Sequence, residues 1–414
     1  MTGKMTDSDI SRIILHPFAT SDRSQQYIAE FEGRRFEVSE SVARLITVMQ
    51  ETETLADAAQ QYRGTNGRPY SESELEAIVE RCIAPILNAP QTPQEHPFLF
   101  KMELLSQSVI ERFSNVLKIV FQPCVIAVLL LCIIVLETCF IVRSTMLISF
   151  SEVNLYVILG AVALLLLSSF VHEIGHASAC RHFKVKHGSV GFGLYLTFPV
   201  FYTDVSETWK LKRKERLVVN MAGVYFQLIL LIPFFVIYFL TGNSILKWFL
   251  LSVHIGLLVT LNPFFKFDGY WIVSDLLGVS NLRQKSKELV RFFLKKLLRQ
   301  QTGAAPYLSR IKSAERTALI VYTVIVNLFF AFYFFFLIPV FVYRFYTSFP
   351  PLVEELIYRL SSGQAIGFGL IQSIFVQLLF MALIVYLLVR MFKPVLSKFF
   401  KSRKALVREK HAAQ

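Results

Sequence analysis

The chain has 414 residues, of which 54% are hydrophobic, 14% aromatic and only 18% charged, with a formal net charge of +13 and a mean hydropathy of +0.50. A soluble domain needs more polar side chains than this to cover its surface, so the composition points to an integral membrane protein. Lys and Arg cluster beside apolar segments, where they fix orientation and meet anionic headgroups, and nucleic-acid binding is set aside on that ground.

The start, "MTGKMTDSDISRI", has no basic stretch followed by an apolar one, so no cleavable signal peptide is expected and insertion relies on later segments. Residues 1 to 90 read as a small α+β, winged-helix-like domain. "QYIAEFEGRRFEVS" alternates like a hairpin turning at Glu32 and Gly33. Ser39 can cap a helix through "ESVARLITVM", "TLADAAQQY" gives a second, and "SESELEAIVERCIAPIL" a third opened by a Ser-x-x-Glu capping box, with Arg63 to Pro69 as the turn before it. The proline-bearing "NAPQTPQEHPF" begins a linker and lead-in over 91–117.

From 118 to 400 the pattern is that of an all-α polytopic membrane domain, followed by a basic tail at 401–414. Six stretches are long and apolar enough for a hydrocarbon core of about 30 Å: 119–140, 153–178, 217–240, 246–266, 318–343 and 366–391. Positive residues crowd Lys210 to Arg216, Arg283 to Arg299 and Lys393 to Lys410, while the opposite loops hold only Arg143, Lys247, Arg344 and Arg359. The positive-inside rule then puts both termini in the cytoplasm and brings the ends of the second and fourth spans to similar depth. "GSVGFGLYLTFPVFYTD" at 188–204 is a strand or hairpin at the membrane surface, and "NLRQKSKELVRFFLKKLLRQQ" is a basic amphipathic helix for the interface.

The chemistry lies in "VHEIGHA" at 171–177. His-Glu-x-x-His on a helix sets His172 and His176 one turn apart on one face, where both imidazoles can reach one cation, and Glu173 is placed to act as general base. Zinc suits these ligands, and a catalytic zinc takes a third protein ligand and keeps a position open. Asp268 in "LNPFFKFDGYW" is the best candidate, because a carboxylate at the inner end of the fourth span is costly unless coordinated or paired. Asn262, before Pro263, is a candidate for orienting a substrate backbone. Asn220 and Gly223 in "VVNMAGVYFQ" read equally as close helix packing. His254 reads as a hydrogen-bonded core residue, Glu137 as snorkelling outward, and His182 and His187 as solvated in a basic loop. The five cysteines show no metal or disulfide spacing.

Taken together, His-Glu-x-x-His at the end of one span, Asn-Pro and Asp-Gly at the end of a later one, and the strand-like segment between them resemble the site-2 protease family of intramembrane zinc metallopeptidases. Within that family the bacterial peptide zinc metalloprotease type is the most similar, through "FPVFYTDVSETW" and "RLVVNMAG"; the likeness covers roughly 153–275. The hairpin and three helices at the N-terminus resemble PqqD-like domains, which bind leader peptides of ribosomally made, modified peptides. The resemblance implies that His172, His176 and Asp268 hold Zn2+, that Glu173 is general base and later acid, and that Asn262 helps to hold the substrate. It implies a bacterial cytoplasmic-membrane protease acting on a peptide or a single-span membrane protein, with a peptide-modifying enzyme or transporter as a further partner. Two alternatives stay open: regulated proteolysis of a single-span signalling protein, and a non-catalytic peptide-binding or export module.

Overall fold

The computed structural model describes residues 10–62, 70–89, 98–144, 155–195, 198–300, 307–386 and 388–389. The expected turn at Arg63 to Pro69, most of the linker and the basic tail lie outside them. The fold divides into two units, residues 1–323 and 324–414.

Near the N-terminus, β1 (Ile14–Phe18), β2 (Gln26–Phe31) and β3 (Arg34–Ser39) form an antiparallel sheet in that order. Glu32 and Gly33 both take positive φ, at 49° and 75°, the backbone a two-residue hairpin turn requires. α1 (Glu40–Glu51) is capped by the Ser39 side chain, α2 (Leu55–Gln61) by Thr54, and α3 (Glu72–Cys82) by the reciprocal Ser71–Glu74 box. The strands alternate, so Ala29, Phe31 and Val38 turn inward onto Leu45, Ile46, Leu75 and Ile83. The other face meets the rest of the chain. His16 lies edge-on to Trp209 with centroids 4.7 Å apart, Arg35 stacks over the same ring and pairs with Glu207, and Ser280 donates to Glu37 at 2.6 Å.

Residues 98–117, within the expected linker and lead-in, hold regular secondary structure. Phe98–Leu105 is strand β4 and Gln107–Leu117 is helix α4. The hairpin expected at 188–204 is present as β5 (Val190–Tyr195) and β6 (Phe198–Thr203), and β4 joins it in the order β4-β5-β6. The consequence is that, among the described residues, β5 is a central strand and of the pair only β6 offers an edge.

Next come α5 (Pro123–Arg143), α6 (Leu155–His182), α7 (Arg213–Thr241) and α8 (Ser244–Thr260). The fourth expected span differs from expectation: α8 has 17 residues, ends before Asn262-Pro263, and Asp268 opens a separate helix α9 (Asp268–Leu277). Proline cannot continue the backbone ladder, which is why the helix stops there. α10 (Leu282–Leu297) and α11 (Ser313–Phe332) follow. In the second unit a π-helical turn, Tyr333–Leu337, leads into α12 (Ile338–Ser361), and Phe368–Tyr386 forms α13. Phe341 of α12 packs on Phe380 of α13 at 5.3 Å.

Five helical stretches among the described residues are long and apolar enough to cross a membrane, against six expected, with α8 the short one. Their outer surfaces read the same way. On α5 only Ile133 and Phe140 are buried, while Val128, Leu131 and Val142 are 67%, 65% and 79% exposed. Such a surface is satisfied by lipid rather than water.

Candidate metal centre

α6 and α7 approach closely because their contact is built from small residues. A Cβ on Gly175 would lie 2.5 Å from the Ala222 carbonyl, and one on Gly223 would overlap the His172 ring. Gly223 is therefore the space in which His172 sits, and its role goes beyond close helix packing. Around this contact lie Phe121, Ala179, Cys180, Val219 and Phe226.

Within that contact both imidazoles are oriented by α7. His172 Nδ1–H donates to Gln227 Oε1 at 2.9 Å, and Gln227 in turn donates to Ser168 Oγ at 2.9 Å. His176 Nδ1–H donates to the Val219 carbonyl at 2.8 Å. With Nδ1 protonated, each ring presents a bare lone pair at Nε2. These lone pairs face each other at 3.0 Å, and Asp268 Oδ2 lies 2.8 Å from one and 3.2 Å from the other.

Asp268 arrives from the loop that breaks the helices. Asn262 Oδ1 accepts from the Phe264 N–H at 2.8 Å, an Asx turn around Pro263, and Tyr322 donates to the Pro263 carbonyl at 3.0 Å. Gly269 allows α9 to begin directly against this loop, since a Cβ there would overlap the Leu261 carbonyl. The carboxylate sits in the first turn of α9, where the helix dipole favours negative charge.

With both rings in the Nδ1–H tautomer, three acceptor atoms converge, and Asp268 Oδ2 is buried without a hydrogen-bond partner. A metal cation held between them would satisfy all three at once. Ligand atoms around a tetrahedral zinc stand about 3.3 Å apart, so the observed spacings fit one after slight expansion. His172, His176 and Asp268 are accordingly a group able to hold a metal ion. Glu173, between the histidines in sequence, is also buried, at 9% exposure.

The sheet borders this centre. Thr203, at the end of β6, donates to the Glu173 carbonyl at 3.2 Å, and Phe201 meets Phe170 of α6 edge-on at 5.8 Å.

Several residues escaped the sequence reading. Gln227 is the one amide in the otherwise apolar and aromatic run 221–240 of α7, which is the signal by which it could have been found. Asp275, seven residues after Asp268 on α9, is bonded by Arg216 and Asn220; burial lifts its carboxyl above the ordinary range, and the Arg216 guanidinium works against that rise. Glu137 does not snorkel: its carboxylate meets His254 Nε2 at 3.0 Å, while His254 Nδ1–H donates to the Leu250 carbonyl at 2.6 Å. His254 is thus the hydrogen-bonded residue expected, away from the metal group. His187 is buried rather than solvated, its ring bonded to Ser114 at 3.2 Å.

Comparison with curated proteins finds similarity to a Bacillus subtilis (strain 168) protein named "Putative peptide zinc metalloprotease protein YydH", 30% identical over 111 residues. The match covers 26% of this chain and spans 44% of the length of that relative. No protein-family model matches the chain, and no solved structure matches it. In a helical protein built to span a membrane, the conclusion these findings carry is distant homology to a protein named as a zinc metalloprotease, with a His-His-Asp group able to bind a metal.

Proposed function

We propose that the chain is a membrane-embedded zinc metalloendopeptidase of the site-2 type, with His172, His176 and Asp268 as metal ligands. The observation that carries this reading is the convergence of two imidazole Nε2 atoms and a carboxylate oxygen from α6 and α9 beside the buried Glu173. A site for mere structural stability has no use for that arrangement, because each acceptor loses its water on burial.

Zinc, when bound, supplies Lewis acidity toward the scissile carbonyl and lowers the pKa of water to about 7. The chain's own groups do the rest. Glu173 takes a proton from the attacking water as general base and returns it to the leaving amine as general acid. Gln227 and the Val219 carbonyl keep both imidazoles in the tautomer that leaves Nε2 free. Asn262, with Oδ1 engaged by its own turn, has its amide N–H groups to donate to a substrate carbonyl.

A helix hides its carbonyls in its own hydrogen bonds, so a substrate must be extended before it is cut. The edge of β6 suits that purpose by strand addition, since among the described residues its one strand neighbour is β5 and it ends beside Glu173. The substrate class we favour is a membrane-associated or ribosomally made, modified peptide, recruited by the N-terminal PqqD-like domain of residues 1–90. The loop charges favour cytoplasmic termini in a bacterial cytoplasmic membrane, with the metal group facing the cytoplasm. A peptide-modifying enzyme or a transporter then fits as a partner.

The test is incubation of candidate peptides with the purified chain and with Glu173→Gln, read by mass spectrometry beside zinc content. The expected result is cleavage by the first only, with equal zinc in both. Cleavage by both would refute the role of Glu173. Binding of peptide without cleavage by either would favour an escort protein, and cleavage confined to single-span membrane proteins would favour regulated proteolysis.

A further inference from the structure

The third ligand is the first residue of α9, a helix of ten residues, and what fixes that helix lies at its other end. Arg216, 7% exposed, donates from Nε to Asp275 Oδ1 at 2.7 Å, from Nη1 to the Leu211 carbonyl at 3.0 Å and from Nη2 to the Ala19 carbonyl at 2.9 Å. One turn on, Asn220 donates from Nδ2 to Asp275 Oδ2 at 2.7 Å. Both oxygens of Asp275 are therefore held by α7. Asp275 and Asp268 are seven residues apart, two helical turns, so they share a face of α9.

The same stripe of α7 holds the imidazoles. Residues 216, 219, 220, 223 and 227 recur at helical spacing; Val219, Gly223 and Gln227 orient or accommodate the histidines, and Arg216 and Asn220 grip α9. One face of one helix thus addresses all three ligands. The N-terminal region closes the remaining side. The guanidinium of Arg216 lies over Phe18 at 4.9 Å, Ser21 N–H donates to the Gly278 carbonyl at 2.8 Å, and the Ser21 hydroxyl donates to the Leu277 carbonyl. Gly278, at φ 61°, leaves no room for a side chain against Ser21.

A buried ion pair is weak ground for stability, because desolvation offsets the attraction; its better-attested use is to fix the register between elements. We infer that Arg216 and Asn220, acting through Asp275, are positioning residues for the third metal ligand, and that the docked Phe18–Ser21 segment completes the device. The grip on the metal then depends on the N-terminal region being seated. This rests on the metalloprotease reading above.

The experiment uses the full chain in detergent and three readouts: zinc affinity by competition with a chelator, the visible spectrum of the cobalt-loaded protein, and unfolding of the metal-free protein. Asp275→Ala is expected to bind zinc at least about tenfold more weakly, with an altered cobalt spectrum in protein that remains folded. Asn220→Ala, which leaves no charge unpaired, gives a smaller loss in the same direction, and so does Gly278→Ala through the N-terminal segment. These two variants carry the test should Asp275→Ala fail to fold. Zinc affinity and cobalt spectrum equal to wild type in the folded variants would overturn the inference while leaving the metalloprotease reading intact. A wild-type chain that binds neither metal would sink both.

Discussion

At the scale of single residues, the candidate metal group depends on side chains that lie outside it. Gln227 fixes the His172 tautomer and Gly223 supplies the volume the ring occupies. Gln227→Leu keeps the packing and removes the acceptor, so we expect zinc affinity to fall by roughly 10- to 100-fold, measurable by chelator competition. Gly223→Ala is expected to act more severely, because the added carbon overlaps the imidazole itself. Of these residues, His172, Glu173, His176 and Asp268 could be read from spacing and from the price of polarity at membrane depth. Gln227 could not be assigned a role, because its partner His172 lies 55 positions away in the sequence.

At the scale of elements, the break between α8 and α9 makes the site. A continuous fourth span would point Asp268 wherever the helix phase dictated. The Asx turn at Asn262 and the close approach at Gly269 set it instead. Gly269→Ala must push α9 off the Leu261 carbonyl, and a displacement near 1 Å costs about 100-fold in rate. We expect kcat/KM on any cleaved peptide to drop by about that factor while the protein stays folded. The helix breakers Pro263 and Gly269 were legible as such, yet 246–266 still read as one span, since apolar composition continues through "LNPFF". Strand β4 was the other miss. "FLFKMELL" carries Phe100, Met102 and Leu104 around Lys101 and Glu103, a period of two obscured by the proline-rich sequence before it.

At the scale of the first unit, the N-terminal sheet has its own core and is also a wall against the 206–210 turn and the end of α9. Trp209 is the centre of that wall, with His16 on one side of its contacts and Arg35 on another. Trp209→Ala is expected to loosen the docking by about 1–2 kcal/mol, less than a fully buried ring because this one is half-buried. Limited proteolysis should then cut earlier within residues 10–62, and unchanged cleavage kinetics would argue against the docking. The same seating is what couples the N-terminal region to Arg216 and so to the third ligand.

The sequence by itself determined the membrane-protein class, the helix caps at Ser39 and Ser71, the hairpin at Glu32 and Gly33, and the His172–His176 pair on α6 able to bind a metal. Each is written in contacts between residues a few positions apart, where periodicity, capping and turn geometry act. Tertiary structure alone decided which strand edge is open, which face of α7 orients the two imidazoles, and that Arg216 joins Asp275 to Ala19. Those partners stand 59 and 197 positions from Arg216, and no local pattern encodes an interaction whose two halves meet only after the chain has folded.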